Sequence, residues 1–528
     1  MNSNLRLWIS LLILLSTSLA LGAESADNPG EVVLKIGTPN VVKSANLLGD
    51  SSFGVFAHLS NPTLMKMDAS GRVVGQVADR YEVSDDGKTW TFHIRNNLTW
   101  SDGKKFTPED VKFTIDYLKE KYPQSGWMKE VIEESSLTDD NSVVLKLKKP
   151  YSRLNLEFTT YNILPKHIWE KIEKPMEYTN EREVVGFGPF YIARTDLAAG
   201  TIYFKKNPHW MGIQPRIDGI EIHMYSNMDV LSLALQKGDV DAYYKYAGTY
   251  PYANVKSLED AGKFDFEEKQ NIGLMFLGLN LNKEPMSDLK FRDALSYAIN
   301  YSEILNLDAL GYGEVPNRGF VPPSMANFKE TDELSYNVSR AKEILASTGY
   351  RDSDGSGFIE GLDGKDIKLV ILTRSDYQRI TELLKEYLGA AGIDTETEMV
   401  DSSTWIKLKD EYGYDLTVTR TTPWGMMMHA NWGTGYFDSR RTGEGVLHVL
   451  DDPEFLKICD GILSATSDGE MRDYAYQVQD YYAKNLPGIA LYWNQVLTPY
   501  NKDFTGWSSD PLYGIYNLES FMNVKRAA

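Results

Sequence analysis

The chain carries one cysteine, Cys459, in 528 residues, so no disulfide can form within it. A protein of this length without staples is held by its apolar core. Cys459 lies in Phe455-Leu456-Lys457-Ile458-Cys459, which has the spacing of a buried helix face and points to packing, not chemistry. Basic charge is also short: 55 Lys and Arg stand against 74 Asp and Glu, a net charge of −19. That balance argues against nucleic acid or anionic lipid as a partner. Repeats and low-complexity tracts are absent. So are His-Glu-x-x-His, Gly-x-Ser-x-Gly and a phosphate-cradling Gly-Lys-Ser/Thr loop, which removes the metalloprotease, serine hydrolase and P-loop readings. Acid pairs are abundant, so composition leaves a hydrolase of the glycosidase type open.

Long apolar runs are missing except at the start. Arg6, the run Leu7 to Leu15 and the small residues Ser16 to Ala23 form the three-part pattern of a secretory signal. Residues 1–23 are therefore expected to direct export, with cleavage near Gly22 or Ala23, and retention as a membrane anchor is the alternative. No Cys stands near that zone to accept a lipid. The rest, about 505 residues, is too long for one core, so two or three domains are expected. The 32 Tyr and 11 Trp include candidates for lining a ligand cleft.

Strands and helices alternate along the chain. Thr89 to Ile94 alternates with period two after the turn Asp85-Asp86-Gly87-Lys88, a hairpin signal. Thr107-Pro108-Glu109-Asp110 opens a helix, with Thr107 at the cap and Pro108 at the first position. Ile367 to Leu372 is predicted as a strand, Ser375 to Ala391 as a helix ended by Gly392, and Ile393 to Met399 as a second strand. Parallel α/β architecture follows for that half.

Several stretches resemble one family. They are Glu82 to Arg95 with Trp100 to Lys112, Gly186-Phe187-Gly188-Pro189-Phe190, Lys206-Asn207-Pro208-His209-Trp210 with Pro215-Arg216-Ile217-Asp218, and Gly238-Asp239-Val240-Asp241. Leu279-Asn280-Leu281-Asn282, Phe291 to Ile299 and Leu486 to Tyr492 continue the match. In order and over nearly all of residues 30–520, the chain resembles cluster-5 extracytoplasmic solute-binding proteins, the peptide and nickel group of ABC importers. The resemblance implies an α/β, two-lobed periplasmic-binding-protein-like fold with a hinge between the lobes. Lobe 1 is expected over 24–277 plus 490–528, enlarged by an extra subdomain at roughly 55–185, and lobe 2 over 278–489. Crossings near Leu279-Asn280 and Ala490-Leu491 are the expected hinges. The implied function is non-enzymatic: a monomer, exported to the periplasm or cell surface, captures a small ligand between the lobes and delivers it to an ABC transporter permease. A hydrolase acting outside the cytoplasm and a ligand-presenting sensory receptor are the alternatives.

The ligand is read less directly. Peptide binders of the family place an Asp after a Trp to meet the free amine. Here the stretch is Thr421 to Trp432, with Trp424 but without the Asp. A buried ammonium without a counter-charge is costly. Met428 and His429 instead suit a soft metal or a chelate, which keeps a nickel chelate open beside a peptide-like ligand. Candidate ligand-contact residues are Trp127, Tyr161, Arg420, Trp424, Met428, His429, Tyr436 and Trp493. Arg440 or Arg441 can share the carboxylate-binding role of Arg420. Phe53 to His58 falls at the family's N-terminal cleft loop.

No cofactor is required by this reading. One local motif is separate. Residues 352–363 match an EF-hand-type calcium loop, with Asp352, Asp354, Ser356, the Phe358 carbonyl, Glu360 and Asp363 at the ligand positions and Gly357 at the turn. A structural calcium ion is the expectation, and an acidic Asp-Gly turn without metal is the plain alternative.

Overall fold

The computed structural model describes residues 30–48, 54–179, 184–246, 248–270, 273–421, 431–441, 446–447 and 449–527. The signal segment, Trp424, Met428, His429 and His448 lie outside the described residues.

The early hairpin forms as its residues require. Gly87 takes a positive φ of 68°, which only a residue without Cβ adopts readily. It joins Ala78–Val83 to Thr89–Ile94 in antiparallel register. Trp90, Phe92 and Ile94 point inward, while Thr89, Thr91 and His93 alternate to the other side. Ile132–Thr138 and Ser142–Leu147 complete a separate four-stranded sheet. The helix Pro108–Lys121 packs on it. The Asp110 carboxylate accepts the Thr107 N–H at 2.9 Å, and Thr107 accepts the Asp110 N–H in return. Pro108 costs nothing there because its missing N–H has no partner in a first turn.

In the second half the predicted strand–helix–strand unit is Lys368–Thr373, a 3-10 turn at Ser375–Tyr377, helix Gln378–Ala390 and strand Asp394–Met399. The two strands are parallel, Lys368 opposite Asp394 through Thr373 opposite Met399. Ile380, Leu384, Tyr387 and Leu388 form the buried helix face. Leu416–Arg420 joins the other edge of Lys368–Thr373, again parallel.

A twelve-stranded mixed sheet ties the chain together. Its main order is Asp394–Met399, Lys368–Thr373, Leu416–Arg420, Met275–Leu279, Gly488–Asn501, Ala242–Tyr243, Val33–Thr38, Gly219–Met224, Thr201–Lys206 and Phe190–Asp196. The long strand Gly488–Asn501 stands in the middle of this series and serves both halves of it. Residues from Gly488 to Tyr492 pair with Met275–Leu279, whereas Gln495 to Asn501 pair with Phe264–Gln270. Between them, Trp493 and Asn494 pair with Gly313–Glu314. The architecture is thus mixed α/β. Cys459 is buried in helix Pro453–Ser464, and burial pushes its thiol pKa up, as a packing role requires.

Candidate functional site

The parallel strands on the two sides of the sheet present cations at their C-terminal ends. Lys245 follows Ala242–Tyr243, which runs parallel to Val33–Thr38. Arg420 ends Leu416–Arg420, and Arg374 follows Lys368–Thr373. Carboxyl ends of parallel strands are where open α/β sheets bind ligands. Lys245 and Arg420 are close enough to interact: desolvation first, and then Arg420, pulls the Lys245 pKa down, with Asp376 opposing. Solvent still reaches the Lys245 side chain. Among the described residues the Lys245 ammonium has no ion-pair partner. Arg374 is more engaged, with its guanidinium over the Trp405 ring at 5.0 Å and bonded to the Tyr377 hydroxyl at 2.9 Å.

On the side of the four-stranded sheet, the Trp127 indole N–H donates to the Tyr161 hydroxyl at 3.0 Å. Trp127 also stacks on Tyr151, with centroids 5.3 Å apart and planes 9° from parallel. The Tyr151 hydroxyl donates to Glu157 at 3.2 Å. Desolvation, reinforced by Glu157, drives the Tyr161 phenol pKa up, so it stays a neutral donor and acceptor. Trp127 and Tyr161 are therefore brought together, and both remain half-buried.

From the other side come Tyr436 and Trp493, both buried. Trp493 donates to the Phe320 carbonyl at 3.4 Å and meets Phe328 edge-on. Tyr436 lines a small apolar cavity with Leu274, Phe320, Met325, Thr421 and Trp432. Phe320 and Trp432 hold φ of 69° and 51°, which bulky side chains rarely adopt and which marks a constrained wall. Trp432 is fastened by its indole N–H to the Ala326 carbonyl at 2.7 Å. No sequence signal selects Phe320, because a left-handed phenylalanine has no composition cue. Arg440 is committed to Asp438, at 2.9 Å from two of its nitrogens, and to Asp460 at 3.0 Å. Arg441 approaches Asp438 at 3.8 Å, and its charge is felt by Tyr151.

The described part of Phe53 to His58 is helix Gly54–Ser60, not a loop. Phe56 is core, and His58 lines a cavity of about 40 Å³ with Asp510 and Tyr513. Desolvation lowers the His58 pKa to about 4, and burial raises that of Asp510 to about 6.

In the loop at 352–363, Asp352, Asp354 and Glu360 bring carboxylate oxygens within 4.8 Å of one another. Gly355 and Gly357 turn the chain with φ of 80° and 93°. Asp352 accepts the N–H groups of Gly355 and Gly357, and Glu360 those of Ser353 and Asp354. The Ser356 N–H is taken by Asp354, and the Ser356 hydroxyl lies 3.4 Å from the Phe358 carbonyl. Asp363 is not brought to this group; it pairs with Lys365 at 2.6 Å.

The two halves touch away from the shared strand. The Ser152 N–H donates to the Leu463 carbonyl at 3.2 Å and its hydroxyl to Ile462 at 3.3 Å. Arg153 is also attracted by Asp468.

Comparison with known proteins decides the assignment. The model of bacterial extracellular solute-binding proteins, family 5 Middle, matches residues 72–443. The chain belongs to this family. As a solute-binding protein it is the binding component of an ABC importer and not an enzyme. It is 24% identical over 514 residues to the oligopeptide-binding protein AppA of Bacillus subtilis, covering 94% of this chain and 91% of AppA. It is 22% identical over 525 residues to the glutathione-binding protein GsiB of Salmonella typhi, covering 95% of each. Among solved structures, NikA of Brucella suis with Fe(III)-EDTA superimposes with a TM-score of 0.81 at 18% identity, covering 94% of this chain and all of NikA at 100%. The periplasmic-binding-protein fold expected from the sequence is thereby established. No helix among the described residues is long and apolar enough to cross a membrane.

Proposed function

We propose that this solute-binding protein closes two lobes over a small ligand bearing a carboxylate, either a peptide-like molecule or a metal chelate such as nickel's, and passes it as a monomer to its permease. Lobe 1 comprises roughly residues 24–277 and 490–528, with the subdomain at 55–185 forming one wall, and lobe 2 comprises 278–489. The hinges lie just before Met275 and at the pair Trp493-Asn494, where the long strand changes partner. The sequence alone put these crossings near Leu279-Asn280 and Ala490-Leu491. The observation that carries the reading is that Lys245 and Arg420, one from each lobe, stand at the carboxyl ends of parallel strands of one sheet, with the Arg420 charge felt at Lys245. Two cations within reach of each other's field in a chain of net charge −19 suit an anionic group that bridges the lobes only when they close. The reading draws support from similar proteins: AppA was solved with a nonapeptide and NikA with Fe(III)-EDTA, and both ligands carry carboxylates. Trp127 and Tyr161 supply an aromatic wall, with Tyr436 and Trp493 behind the opposite one. Trp424, Met428 and His429 are assigned to the same crevice from their sequence positions.

Native mass spectrometry of freshly purified protein, with metal analysis of the same sample, tests this. The expected result is a co-purified carboxylate-bearing molecule whose affinity falls at least about tenfold in Arg420→Gln, the size of losing a charge-assisted hydrogen bond. A neutral or purely cationic ligand, or unchanged affinity in that variant, overturns the proposal. For a chelate, His429→Ala is expected to weaken binding by about 1 kcal/mol or more in calorimetry. Unchanged affinity removes His429 from the site.

A smaller proposal concerns the loop at 352–363. Calcium is assigned to Asp352, Asp354, Glu360, Ser356 and the Phe358 carbonyl, without Asp363, whose charge is met by Lys365. Added calcium should raise Tm, chelator should reverse the rise, and Asp352→Asn should abolish it. A Tm indifferent to calcium leaves the loop an ordinary acidic turn.

A further inference from the structure

We infer that the loop between strands Thr201–Lys206 and Gly219–Met224 is a membrane-surface contact, taking a phospholipid bilayer as its partner. The two most exposed large apolar side chains among the described residues are Met211 and Ile213, at 76% and 87% exposure. They flank Gly212 at the tip of one loop. The loop is held in shape: the Trp210 indole N–H donates to the Ile213 carbonyl at 2.9 Å, and the Gln214 amide donates to the Trp210 carbonyl at 2.9 Å. At its base the Asn207 amide donates to the Gly188 carbonyl at 2.8 Å. An ordered loop that projects two aliphatic side chains and a tryptophan away from the core has the make-up of an interfacial contact, with the indole at headgroup depth.

Charge singles out the same place. From Leu197 to Ile217 the chain has no Asp or Glu, yet it has Lys205, Lys206, His209 and Arg216. Lys206 is paired with Asp218 at 2.8 Å. Lys205 and Arg216 are exposed and have no ion-pair partner among the described residues. The net charge of −19 argues against an anionic surface for the molecule as a whole. Screening confines each charge to about 8 Å at physiological salt, so the loop's own cations govern its approach. Basic residues beside an apolar tip suit a bilayer surface that carries anionic lipid.

The path of the chain supplies an independent reason. The first described strand enters beside this loop: the Val32 N–H donates to the Asp218 carboxylate at 2.9 Å, and Val32 accepts the Asp218 N–H at 2.7 Å. Fourteen residues, Ser16 to Pro29, separate the apolar run from Gly30, and a chain of that length reaches at most about 50 Å. If the apolar run Leu7 to Leu15 is kept as an anchor, its tether joins the fold on this face.

The test places an environment-sensitive label on the full-length chain through Met211→Cys, with Leu137→Cys in the separate four-stranded sheet as the reference. Cys459 is buried and stays unlabelled. Each protein is reconstituted with phosphatidylcholine vesicles, with and without phosphatidylglycerol, carrying a lipid-borne nitroxide quencher. Any tether is identical in both proteins. The expected result is quenching at position 211 at least about twofold above that at 137, stronger with phosphatidylglycerol, and lost when Ile213→Ser and Arg216→Glu are added. Both added changes are at exposed positions, and an unchanged Tm confirms that the fold is intact. Equal quenching at the two positions, or quenching indifferent to the added changes, overturns the proposal. So does contact that arises only when an importer protein is present, which would make the loop a protein-docking tip instead.

Discussion

His58 and Asp510 line one cavity and titrate in opposite senses. Between pH 4 and 6 the unfolded chain protonates His58 while the folded chain, with that pKa lowered to about 4, does not. This histidine therefore makes stability rise with pH in that range. Asp510, with its pKa raised to about 6, keeps its proton when folded and loses it when unfolded. It makes stability fall with pH over the same window. The two contributions offset each other in the native protein. Other charges face the cavity or Asp510: Lys66 and Glu519 line the cavity, Lys269 attracts the Asp510 carboxylate and Glu267 repels it. The prediction is a split. In Asp510→Asn the urea midpoint should rise between pH 4 and 6.5, and in His58→Gln it should fall between pH 4 and 6. Parallel pH curves for the two variants would refute the pairing. The sequence placed His58 at a cleft loop by family position. Its cavity partner is more than four hundred residues away along the chain, so no local pattern could have joined them.

At the scale of elements, the strand Gly488–Asn501 is the decisive piece. As a sequence it is an apolar run, Gly488 to Trp493, broken by Asn494-Gln495 before Val496-Leu497, and nothing in its period says that it serves two partners. The register does: Gly313–Glu314 clasps Trp493 and Asn494 at the change. Gly313 has φ of 155°, and a Cβ there would stand 2.3 Å from the Trp493 carbonyl oxygen. Both strain and collision forbid a side chain. Gly313→Ala should therefore cost about 2 kcal/mol or more, read as a lower urea midpoint at unchanged m. An effect within the noise of the method would mean that this clasp does not constrain the crossing. By contrast, the strand–helix–strand unit at 368–399 was legible from the sequence almost to the residue. Its helix carries Ile380, Leu384, Tyr387 and Leu388 at helical spacing, and Gly392, with φ of 86°, ends it.

At the scale of the molecule, closure is an equilibrium between contacts within the crevice and the freedom of the open form. On the proposed two-lobed reading, the Ser152 bonds to Ile462 and Leu463 and the attraction of Arg153 by Asp468 bias the far rim toward closure. Arg153→Met removes one of these attractions, so ligand-free protein should shift toward the open form, with a larger radius of gyration by X-ray scattering. Ligand at a hundred times Kd adds about 2.7 kcal/mol of stability and should restore compactness in the variant. If scattering is identical with and without Arg153, the rim contact does not bias closure.

The sequence by itself determined the local units, the family and the absence of disulfides and enzymatic motifs, because periodicity, turn residues and signature stretches act over short separations. The tertiary structure alone decided that Lys245 feels the charge of Arg420, that Trp127 bonds Tyr161, that Asp363 pairs with Lys365 outside the acidic cluster, and that the apolar tip at Met211 and Ile213 stands beside the entering chain. Each of these depends on which distant segments a twelve-stranded sheet sets side by side, and strand order in a sheet is settled by packing between segments rather than by any pattern within one.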